Sequence, residues 1–181
     1  RKIFFEKNDK TIKIKLPEKS LIKRFFGIFR LTRRILRLDK CNVFLHSDNL
    51  IIIRQGQVYF YNTENDKLTH TLTLRNCRNV LHQSINSTPD GLIYFGEYGN
   101  NGNRESVPVY CSEDGGMSWK EIYTFPAGDI KHIHGCYYDE YTNKIWVCTG
   151  DFEGENCFLV ANREFTEVER IGDGKQRFRA C

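Results

Sequence analysis

Two histidines, two acids and a cluster of basic residues carry the chemistry that this sequence can support. His132 and His134 stand two apart in an apolar run, and on a β-strand that spacing sends both imidazoles to one face. Imidazoles titrate near neutrality, so the pair could serve as base and acid, or ligate a metal together with Asp151 or Glu97. The sequence calls for no metal or cofactor. Glu97 and Asp151 each follow an apolar run and a glycine, in Phe95-Gly96-Glu97 and Thr149-Gly150-Asp151. As a carboxylate pair they would suit glycosidic chemistry, with their separation deciding the stereochemical outcome. Arg177 and Arg179, next to Gln176, have the forked donors that hold a carboxylate or sulfate. His82, Tyr98 and Arg104, the last in the polar stretch Asn100–Arg104, complete the candidate binding set.

These residues need a scaffold, and the texture of the chain supplies one. From residue 40 onward, short runs of β-branched and aromatic residues alternate with Gly, Asn, Asp and Ser turns, the pattern of regularly spaced strands. Asn42–His46, Leu50–Arg54, Gln57–Tyr61 and Lys67–Leu74 make a first four. Asn79–Ile85, Leu92–Gly96, Val107–Ser112 and Lys120–Phe125 make a second, and Lys131–Tyr138, Lys144–Thr149, Cys157–Ala161 and Glu167–Ile171 a third. Each set has the length of one four-stranded propeller blade. The second and third also echo each other, Leu81-His82-Gln83-Ser84 with Ile133-His134-Gly135-Cys136, and Phe95-Gly96-Glu97 with Thr149-Gly150-Asp151. The expected fold is all-β, a β-propeller of four-stranded antiparallel blades at 40–76, 77–127 and 128–173. Residues 174–181 are expected to open a partial fourth blade, so that a partner chain or further blades would close the ring.

The first 38 residues read as a separate segment. Lys2–Glu6 and Thr11–Leu16 form a hairpin that Pro17 ends, and Ser20–Leu38 repeats apolar residues at helical spacing with Lys23, Arg30, Arg33, Arg34 and Arg37 between them. Residues 1–40 carry a balance of +10 and residues 41–181 one of −6, which together give the net +4. A basic start on an acidic domain points to an anionic partner there, with peripheral membrane contact through residues 20–38 as one form of it. No run approaches the roughly 20 apolar residues of a membrane-spanning helix. The seven cysteines are widely spaced, odd in number and without a C-x-x-C pair. They read as reduced, small hydrophobes, and hence as a sign of the cytoplasm.

Ser112-Glu113-Asp114-Gly115-Gly116-Met117-Ser118-Trp119 matches S-x-D-x-G-x-x-W at its four defining positions. It resembles the Asp-box, or bacterial neuraminidase, repeat of sialidase-like propellers, and it falls between the third and fourth strands of its set. The resemblance implies a structural turn on the face away from the functional centre. In a blade, the start of the first strand and the end of the second share a rim, which selects His82, Glu97 and Tyr98, then His132, His134 and Asp151, then Gln176, Arg177 and Arg179. The early Arg-Ile-Pro motif of sialidases is missing, and His-x-His is not a sialidase feature. Propeller lyases acting on acidic polysaccharides are a comparable match. Phosphate-binding loops, dinucleotide fingerprints, H-E-x-x-H and G-x-S-x-G are absent, and no nucleic-acid module is present. The sequence is read as a sialidase-like propeller that binds an anionic carbohydrate and could process it. The alternative is a non-catalytic scaffold for another protein.

Overall fold

The computed structural model describes residues 2–7, 10–18 and 20–179. The chain divides into two compact units, residues 1–40 and 41–181. In the first, β1 (Lys2–Lys7) and β2 (Lys10–Lys15) pair antiparallel, with Ile3 opposite Ile14 and Phe5 opposite Ile12. Asn8 and Asp9 of the expected turn lie outside the described residues. The segment read as one amphipathic helix is two short ones, α1 (Leu21–Phe26) and α2 (Arg30–Ile35). Ser20 caps α1 by accepting the Lys23 N–H at 3.3 Å, and Gly27 ends it. Glycine is the weakest helix former after proline, so the break falls where the sequence is least able to resist it.

The second unit holds three four-stranded, antiparallel, up-and-down sheets. The first comprises β3 (Asn42–His46), β4 (Asn49–Arg54), β5 (Gln57–Asn62) and β6 (Lys67–Thr73). The second has β7 (Asn86–Ser87), β8 (Ile93–Gly96), β9 (Val107–Ser112) and β10 (Lys120–Phe125). The third has β11 (Ile133–Asp139), β12 (Lys144–Thr149), β13 (Asn156–Ala161) and β14 (Val168–Gly174). These are propeller blades, each paired in chain order. Neighbouring sheets pack face to face. Ile51, Ile53 and Val58 of the first meet Ile93, Phe95 and Tyr110 of the second. Tyr94, Val109 and Phe125 of the second share a core with Cys136, Val147 and Leu159 of the third. Central strands buried on both faces explain the continuous apolar runs Ile51–Ile53 and Tyr94–Phe95. Cys111, Cys136 and Cys157 are free thiols in this interior, where burial pushes the Cys111 thiol up to about 11.

Two strand expectations need correcting. Asn79–Ile85 is not a strand: the first strand of the second sheet is only Asn86–Ser87. Val80 and Ile85 still point into the core, but Gln83 takes a left-handed φ of 60°, and Ser84 N–H turns back to the Leu81 carbonyl. Asn79 and Asn42 side chains then link this segment to the first sheet, through the Ile53 and Leu81 carbonyls at 3.2 and 3.1 Å. Residues 174–181 begin with the end of β14 and a 3-10 turn at Gln176–Phe178, whose Phe178 ring packs edge-on against Phe158. Ala180 and Cys181 lie outside the described residues.

The Ser112–Trp119 turn joins β9 to β10 and is held by its own side chains. The Ser112 hydroxyl donates to Asp114 at 2.8 Å and accepts the Gly116 N–H at 2.8 Å, while Asp114 also accepts from the Ser118 N–H and hydroxyl. Gly115 and Gly116 have φ of 72° and 99°, conformations that a Cβ would strain. Trp119 packs edge-on against Phe95 and donates to Thr71 on β6 at 3.2 Å, so the turn also fastens the second blade to the first. Burial opposes ionisation of Asp114, but the bonds from Ser118 and Ser112 outweigh it and hold the carboxyl below its ordinary 3.8. Its contribution is therefore complete above that value and lost as pH falls through the depressed one. Asp114→Ala is expected to destabilise the chain by about 1–2 kcal/mol at neutral pH. In urea titrations the difference from wild type should shrink toward acid pH, and a constant difference would contradict the account.

Candidate functional site

The structure gathers His132, His134, Tyr98, Asp151, Gln176 and Arg179 at one end of the second and third blades. His132 immediately precedes β11, and the pairing of β11 with β12 slips between Ile133 and Gly135. His134 is thus the extra residue of a β-bulge, and bulges re-aim side chains. His132 Nε2 and His134 Nε2 lie 3.2 Å apart. Asp151, two residues past β12, places Oδ2 3.1 Å from His132 Nε2 and Oδ1 3.5 Å from His134 Nε2. Gly150 has a φ of 120°, and a Cβ there would meet the Asn156 side chain at 2.0 Å; glycine is what lets the chain turn Asp151 inward.

Both histidines are almost fully buried. His132 Nδ1 lies 2.9 Å from the Gly99 carbonyl, and that oxygen can only accept, so Nδ1 carries the hydrogen. Burial pushes His132 below the ordinary imidazole value, against the opposing pull of the Gly99 bond and the Asp151 charge. The Tyr98 ring packs on both imidazoles, with centroids 4.1 and 5.7 Å away. Asp151 is held in turn by Arg179 at 3.1 Å on Oδ1 and by the Gln176 amide on its backbone carbonyl at 3.2 Å. Lys131 Nζ lies 3.8 Å from Oδ2.

Glu97 sits apart from this centre. It is buried, and its oxygens accept the Arg75 and Asn76 N–H groups at 2.8 and 3.0 Å and the Tyr110 hydroxyl at 2.9 Å. Its side chain anchors the segment that follows β6. Its backbone carbonyl accepts the Ile133 N–H at 2.9 Å, a close approach permitted because Gly96 has no Cβ to strike Ile133. Arg104 pairs with Glu155 at 2.6 Å and lies over the Phe152 ring, which Lys131 also covers. Arg177 turns away to Asp173. His82 is exposed, on a separate groove of about 500 Å³ with Asn42, Phe44 and Ile85. Sequence reasoning missed Lys131, Phe152 and Glu155; the direct adjacency of Lys131 to His132 and of Phe152 to Asp151 was the available signal. Glu97→Gln should cost about 2 kcal/mol of unfolding free energy by urea denaturation, since an amide N–H₂ would face a backbone N–H. An unmoved unfolding curve would instead free this carboxylate for chemistry.

No family model and no curated protein matches the chain. Among solved structures, the extracellular domain of a putative one-component system from B. thetaiotaomicron superposes with a TM-score of 0.50 at 18% identity, covering 74% of this chain and 17% of that one. A nidogen/laminin complex superposes with a TM-score of 0.48 at 12% identity over 69% of this chain and 44% of that one. The chain thus spans less than half the length of either. The first likeness supports the fold and says nothing of activity. The extracellular setting belongs to that protein, and it lends the cytoplasmic expectation no support.

Proposed function

We propose that the chain binds an acidic carbohydrate against the His132–His134–Asp151 centre. The observation that carries this is the convergence of two imidazoles and a carboxylate at the end of adjoining blades, flanked by the cationic Arg179 and Lys131 and by the half-buried Tyr98 ring. Arg179 has a partly exposed guanidinium and can exchange its bond to Asp151 for a forked bond to a sugar carboxylate or sulfate. Tyr98 offers an amphipathic ring to a sugar face. Against arrays of uronate, sialylated and sulfated oligosaccharides, wild type should bind at least one acidic class, and Arg179→Ala should weaken that binding about tenfold, near the 1.4 kcal/mol of a charged hydrogen bond. Turnover of the bound glycan would make the protein a hydrolase or lyase. Binding to none of these classes would sink the reading and leave the protein-scaffold alternative.

A second reading rests on the first unit. Nine large apolar side chains between Leu21 and Leu36 are exposed, Leu21 at 78% and Ile28 at 70%, among lysines and arginines that give residues 1–40 their balance of +10. Such a surface suits the headgroup boundary of an anionic bilayer. No helix among the described residues is long and apolar enough to cross a membrane. We propose that this segment rests on one. The chain should co-sediment with phosphatidylserine vesicles in low salt and far less with neutral ones, and Phe25→Ser with Phe29→Ser should abolish it. Equal recovery with both vesicle types would rule out the charge contribution.

A further inference from the structure

The distances within the His132–His134–Asp151 trio carry more than a ligand pocket. His132 Nε2 and His134 Nε2 lie 3.2 Å apart, and each faces its own oxygen of the Asp151 carboxylate, Oδ2 at 3.1 Å and Oδ1 at 3.5 Å, with one donor atom from each of the three residues within 4.8 Å of the others. A tetrahedral zinc ion with bonds of about 2.0–2.1 Å has ligand–ligand edges of about 3.3–3.4 Å. The imidazole nitrogens already stand at nearly that edge, and the carboxylate lies close enough to supply the third corner with a small rotation of the Asp151 side chain. All three atoms come from positions that the backbone fixes: the residue before β11, the bulge within it, and the turn after β12.

The hydrogen-bond logic points the same way. With its Nδ1–H committed to the Gly99 carbonyl, a neutral His132 presents a lone pair from Nε2, directed at the Asp151 carboxylate and at His134 Nε2. A single N–H from His134 can satisfy one of these contacts and leaves another between two acceptors. Three Lewis bases facing one point are stabilised by a shared electrophile. The Gly99 carbonyl is also the outer partner that ligating histidines ordinarily have, fixing the tautomer and orienting the ring, while Arg179 holds the Asp151 carboxylate and Gln176 bonds the Asp151 backbone carbonyl.

We infer that His132 Nε2, His134 Nε2 and Asp151 form a three-ligand site for a divalent first-row transition ion of the zinc class. Two imidazoles and a carboxylate are a borderline donor set that favours such ions over calcium or magnesium. Three protein ligands leave a fourth position for water or a substrate oxygen. The imidazoles then serve as ligands instead of acid and base. Asp151, one-fifth exposed, gives the ion its entry from solvent. This inference stands whether or not the ligand of the site is a carbohydrate.

The test uses the full chain, stripped with a chelator and titrated with zinc by calorimetry, and with cobalt(II) by absorption. The expected result is one zinc per chain with a dissociation constant at or below about 1 μM (about −8.2 kcal/mol at that value), a rise in melting temperature, and a cobalt spectrum without a thiolate charge-transfer band, which separates this site from the cysteines. His134→Ala and Asp151→Asn should each weaken zinc binding at least 100-fold. Asp151→Asn keeps the size of a partly exposed side chain, so it tests the site even if the buried His134→Ala variant does not fold. Zinc affinity unchanged in Asp151→Asn, a thiolate band, or imidazole ¹⁵N shifts showing a His132 imidazolium paired with Asp151 in excess zinc would each overturn it.

Discussion

One backbone hydrogen bond, from the Ile133 N–H to the Glu97 carbonyl, sets the geometry on which the site depends. It ties the end of β8 to the start of β11 at 2.9 Å, and so fixes where the third blade begins relative to the second. Gly96 allows the approach, since a Cβ would stand 2.5 Å from Ile133 carbons. Glu97 is immobilised by two backbone N–H groups and Tyr110, making it a rigid anchor. His132 and His134 flank Ile133, so any shift of this bond moves both imidazoles. A second bond, Cys136 N–H to the Ser84 carbonyl at 3.3 Å, supports the same junction one turn of strand away.

The packing around this junction explains its rigidity. Ile133 and Cys136 lie in the core shared by the second and third blades, and Phe95 beside Gly96 lies in the core shared by the first and second. The short β8 therefore has both faces buried, and its neighbours cannot slide without opening one of two close-packed layers. Several polar side chains drawn into these layers donate to nearby backbone carbonyls. Thr149 bonds the Glu155 and Cys157 carbonyls, and Asn156 bonds the Phe152 and Gly174 carbonyls. These bonds hold the loop that carries Asp151, Phe152 and Glu155.

Charge is distributed around the centre with the same economy of position. Glu155 takes the Arg104 guanidinium on one oxygen and the Lys131 backbone N–H on the other, while Phe152 lies beneath both cations. Lys131 and Arg179 are then left close to Asp151, at 3.8 and 3.1 Å from its two oxygens. The acidic remainder of this unit and the basic first unit face different classes of partner in the two readings above.

Much of this was legible in the residues. The strand sets, the four-stranded blades, the hairpin and the Ser112–Trp119 turn follow from local alternation, turn chemistry and glycine positions, which act over a few residues and leave their marks in order along the chain. The rule that strand starts and strand ends share a rim was enough to bring His132, His134 and Asp151 onto one list. It also put Glu97, His82 and Arg177 there, and tertiary structure separated them. A carboxylate has the same appearance in sequence whether solvent, substrate or two backbone N–H groups will occupy it. The length of β7 depended on Asn79 and Asn42 bonding across sheets, and the break in the basic helix on how a glycine resolves in context. The bulge at His134 decided most of all. Alternation alone puts two imidazoles on one face, but the one-residue slip against the neighbouring β12, set by cross-strand pairing that alternation does not encode, accompanies nitrogens only 3.2 Å apart.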